Sequence, residues 1–103
     1  MSNQTIAIQI GNTDQKLSTQ EWYDYTEDIR KQVKVHADEV HFDGHSTIES
    51  PHRNHCWVVV LPKINLNSLK DALCNVANSF KQDSLALTIG ETELLHASPC
   101  KGS

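Results

Sequence analysis

The segment His55-Cys56-Trp57-Val58-Val59-Val60-Leu61-Pro62 is the one long unbroken apolar run in the chain. It is rich in β-branched residues and closed by a proline, so it reads as a strand. Alternation places Trp57, Val59 and Leu61 on one face and Cys56, Val58 and Val60 on the other. Both faces are apolar, as in a strand covered from two sides. A chain of 103 residues is one domain and rarely covers both faces of such a strand unaided. A sheet face that needs a partner is the first expectation.

The remaining elements follow from periodicity. Thr5 to Ile10 alternates, with Ile6, Ile8 and Ile10 facing one way and Ala7 and Gln9 the other, and predicts a half-buried strand ended by the turn residues Gly11-Asn12-Thr13-Asp14. Ser18-Thr19-Gln20-Glu21 has the form of a capping box. Behind it Trp22, Tyr25, Ile29 and Val33 recur at helical spacing, and Glu27 and Lys31 stand as an i,i+4 pair. Val40 to Ile48 predicts a second strand in which Val40 and Phe42 alternate with His41 and Asp43, with Gly44 marking a bulge or bend. The loop 50–54 joins it to the apolar run as an antiparallel hairpin.

Asn65 or Asn67 can cap a second helix, whose stripe is Leu66, Leu69, Leu73, Val76, Ala77 and Phe80. Leu85, Leu87 and Ile89 alternate with Ala86 and Thr88 in a further strand. Gly90-Glu91 fits a tight turn into a short last strand, Thr92 to Leu95. Residues 1–97 read as a single domain and 98–103 as a flexible tail.

The order βαββαβ, with a small extra hairpin strand, is the split βαβ pattern of a ferredoxin-like α+β domain. Two helices should cover one face of an antiparallel sheet in the order 4-1-3-2. That face takes Ile6, Ile8, Ile10, Leu85, Leu87 and Ile89, joined by Trp57, Val59 and Leu61, since the indole gains most from burial. The opposite face then displays Ala7, Gln9, Cys56, Val58, Val60, Ala86 and Thr88, a small-residue and mostly apolar surface. At about 25 cal/mol per Å², leaving two valines and a cysteine wet forfeits a few kcal/mol. Contiguous apolar patches of this kind mark contact sites. A homodimer packed sheet on sheet, another protein partner, or a cleft for a small ligand would use it. A final hairpin or tail folded across the face would leave no such role.

Composition excludes several classes. The formal net charge of −4 is the wrong sign for a general nucleic-acid binder, which needs a basic stripe. The open face also lacks the aromatic and basic residues that stack and hold RNA on sheets of this topology. No basic and apolar leader opens the chain and no stretch approaches membrane-spanning length, so it reads as cytoplasmic with no membrane partner. Three widely spaced cysteines, Cys56, Cys74 and Cys100, suit a reducing compartment. Cys56 lies in a packed strand and Cys74 has no basic motif around it, so neither reads as a nucleophile. Cys100-Lys101-Gly102-Ser103 lacks the aliphatic pair of a prenylation box. The glycines are isolated, so no phosphate-binding loop is present.

Four of the six histidines, His41, His45, His52 and His55, fall in the second hairpin beside Cys56. They supply donors suited to zinc or another divalent transition metal, at a spacing that matches no standard zinc template. His41 with Asp43, and His45 beyond Gly44, form an acid–base candidate, since a carboxylate near an imidazole orients it and raises its pKa. Solvated hairpin polar groups would look the same. Tyr23 is the exposed member of the Trp22-Tyr23-Tyr25 cluster and could face a partner. The expectation that follows is a small non-enzymatic interaction or regulatory module, homodimerising through the open face, of the accessory kind found in bacteria or their mobile elements. The alternative is a small enzyme or metal-binding protein working through the histidine-rich hairpin. The topology itself hosts unrelated functions and decides neither.

Overall fold

A computed structural model of the chain describes residues 3–12, 17–46, 53–90 and Leu95. In chain order these form β1 (Asn3–Gly11), α1 (Thr19–His36), β2 (Glu39–His45), β3 (Asn54–Pro62), a 3₁₀ turn at Lys63–Asn65, α2 (Leu66–Ser79) and β4 (Ala86–Gly90). The fold is α+β, with an antiparallel sheet in the order β2-β3-β1-β4. This is the βαββαβ arrangement expected from periodicity. The two central strands, β1 and β3, run alongside each other for nine residues, from Asn3↔Pro62 to Gly11↔Asn54.

The core lies on one side of that sheet. Ile6, Ile8 and Ile10 of β1 and Trp57, Val59 and Leu61 of β3 meet Trp22, Tyr25, Ile29 and Val33 of α1 and Leu69, Leu73 and Ala77 of α2. Tyr25 stands at the centre of an aromatic contact, with Trp22 edge-on at 6.2 Å and Phe80 at 5.1 Å between ring centroids. These are separations at which aromatic pairs attract. Leu85 and Leu87 pack against the same core. Ile89, expected to join them, is instead 42% exposed. It lies on the edge strand opposite Ile6, where the sheet outruns the cover that two helices provide.

Local chemistry sets the boundaries. Ser18 caps α1 in both directions: its Oγ accepts from Glu21 N at 3.1 Å, and Glu21 Oε1 accepts from Ser18 N at 2.9 Å. That reciprocal pair satisfies two otherwise orphaned donors, and it holds the Glu21 carboxyl below its usual pKa. Asn12, buried between β1 and α1, exchanges two hydrogen bonds with the Leu17 backbone. Asn65 starts α2 without a side-chain cap; its Nδ2 donates to His36 O at 3.2 Å and ties the 3₁₀ turn to the end of α1. At the other end of α2, Gln82 N donates to Ala77 O and Lys81 N to Asn78 O, the two bonds of a Schellman motif. Lys81 therefore takes the left-handed conformation, φ 58°.

Two further details differ from the sequence expectation. The bulge in β2 falls between Val40 and Phe42, at His41, and Gly44 stays in register opposite Cys56. Glu27 turns to Arg30 rather than to Lys31, and the same guanidinium also holds Asp43. The strand expected over Thr92 to Leu95 and the tail from Ser98 lie outside the described residues, except Leu95, which is exposed and in no strand. No helix among the described residues is long and apolar enough to cross a membrane.

Candidate functional site

Strand register sets out the face of the sheet that the helices leave open. Three cross-strand rows run over it: Gly44, Cys56, Gln9 and Ala86; Phe42, Val58, Ala7 and Thr88; Glu39, Val60, Thr5 and Gly90. All seven residues that alternation assigned to this face sit together on it. Cys56, Val58, Val60 and Ala7 are half-buried among their neighbours, while Gln9, Ala86 and Thr88 are exposed. Glu39 is the one charged residue in the three rows. The apolar side chains concentrate on the β2–β3 half and the small or polar ones on the β1–β4 half.

Phe42 is the residue that sequence reading missed. The bulge at His41 shifts the alternation by one, so Phe42 comes opposite Val58 on the outer face, 53% exposed. Its ring reaches over Gly44: a Cβ built there would lie 2.9 Å from Phe42 Cε2 and closer still to Cζ. The pattern Phe-x-Gly in a strand was the available signal, since a glycine two positions away leaves room for a ring to fold over the backbone.

Cys56 adds no reactivity to this face. Its thiol lies 3.8 Å from Trp57 O and burial pushes its pKa up, the reverse of what a nucleophile needs.

On the helix side of the same hairpin is a charged cluster. Arg30 of α1 grips Asp43 of β2 at two points, Nε to Oδ2 at 2.6 Å and Nη2 to Oδ1 at 3.0 Å, while its Nη1 meets Glu27. Asp43 Oδ1 also takes His55 Nε2 at 2.5 Å. The guanidinium, aided by the imidazole, holds the Asp43 carboxyl far below the usual carboxylate range. The His55 ring stacks on Trp57 at 4.4 Å between centroids and is 5% exposed. Buried to that degree, it offers little surface to a substrate. The arrangement braces α1 against the β2–β3 hairpin.

Of the other hairpin histidines, His41 stands away from that brace and His45 borders it. His41 sits at the bulge, Nε2 3.4 Å from Glu39 Oε2, so the expected His41–Asp43 pair does not form. His45 is opposite His55 with ring centroids 6.0 Å apart, and its Nδ1 lies 2.7 Å from Ser46 O. His52 lies outside the described residues. Among the described residues no three His, Cys, Asp or Glu side chains converge on a point that could hold a metal ion. Tyr23 is exposed on α1 and Cys74 on α2.

No family model matches the chain, and no curated protein does. Among solved structures the chain is similar to a de novo designed protein, Foldit4, with a TM-score of 0.66 over 89% of this chain and 100% of that one, at 8% sequence identity. At that identity the likeness speaks for the fold alone.

Proposed function

We propose that the protein is a non-enzymatic interaction or regulatory module that pairs with a second copy of itself through the open sheet face. What carries this reading is the middle row, Phe42, Val58, Ala7 and Thr88: a charge-free band with a half-exposed aromatic ring, on the side opposite both helices. Interface centres are depleted of charge and enriched in aromatics. An isologous contact must be self-complementary. With the net charge of −4 carried almost wholly elsewhere, two such faces meet with little repulsion. A dyad near Val58 would lay the two β2–β3 halves, and so Phe42, Cys56, Val58 and Val60, against each other.

Geometry also sets the size of the contact. Four strands and nine-residue central strands span roughly 19 by 30 Å, which puts the contact at the small end of specific interfaces. Light scattering at tens of micromolar is expected to give about twice the 11.6 kDa chain mass. Val58→Glu, and the milder Phe42→Ser at an already exposed position, should return the mass to that of one chain with an unchanged circular dichroism spectrum. Lys31→Glu on the exposed side of α1 should leave the dimer intact. A wild-type monomer at that concentration would sink the proposal.

A further inference from the structure

We draw no further inference here: the strongest candidate, the groove of about 430 Å³ between α2 and the edge strand β4, floored by Leu73, Ala77, Leu85 and Leu87 and flanked by Lys70 and Asp83, carries nothing because nothing among the described residues shows what covers it.

Discussion

The ring of Phe42 occupies the space that a side chain at position 44 would need. Glycine at 44 is thus what lets an aromatic ring lie over the sheet at the centre of the apolar half-face. Gly44→Ala should push the ring away. The displaced atoms are the far end of a half-exposed side chain, and alanine is also the better strand residue. Net stability should therefore change by no more than about 1 kcal/mol. Self-association should weaken, because the shape of the face has changed. Thermal unfolding and sedimentation velocity on the same variant separate the two effects.

The Arg30–Asp43–His55 brace predicts an acid-sensitive contribution to stability. An unfolded aspartate titrates near 3.9, whereas the folded Asp43 carboxyl is held well below that by Arg30 and His55. A depressed folded pKa means the contribution is complete above the unfolded value and drains as pH falls below about 4. Asp43→Asn should lose about 1–2 kcal/mol at neutral pH, allowing for solvent screening of a partly exposed pair. Its urea midpoint should also fall less steeply than wild type between pH 5 and 3. Parallel slopes for the two proteins would show that the brace carries no linked stability.

Tyr25 predicts the opposite limb. Its hydroxyl is buried with no protein partner among the described residues, and burial pushes the phenol up to about 12. A raised pKa means the stability is present below the unfolded value near 10 and is lost as pH rises through 12. Tyr25→Phe keeps the ring contacts with Trp22 and Phe80 and removes the orphaned hydroxyl. It should be within about 1 kcal/mol of wild type, or slightly more stable. Its unfolding midpoint should lose much of its pH dependence between 10 and 12. Tyr25→Ala, which empties the site, should cost about 3–5 kcal/mol.

Lys81 holds a left-handed backbone at the end of α2, a conformation that costs a non-glycine residue about 1 kcal/mol. Its backbone N–H already donates to Asn78 O, and the change to glycine keeps that bond. Lys81→Gly should raise stability by up to about 1 kcal/mol, seen as a melting temperature a few degrees higher. A lower melting temperature would mean that the lysine side chain itself braces the turn.

Much of what depends on repeating local pattern was legible in the chain itself. Period-two alternation separated Trp57, Val59 and Leu61 from Cys56, Val58 and Val60. Helical spacing picked out Trp22, Tyr25, Ile29 and Val33, and Ser18 with Glu21 marked the start of α1. Side-chain periodicity and capping are set within a few residues, so a short window contains their cause.

What only the tertiary structure decided is where one element meets another. Asp43 finds Arg30 thirteen residues before it and His55 twelve after, a meeting set by α1 lying across the β2–β3 hairpin and invisible to any spacing rule. The single extra residue at His41 turned Phe42 to the outer face, because an insertion of one reverses the side of every following side chain until the ladder resumes. Ile89 kept the alternation of a core residue and remained wet, since its burial depends on how far two helices extend over an edge strand. Pattern determines which side chains share a face; the reach of neighbouring elements determines which faces are covered.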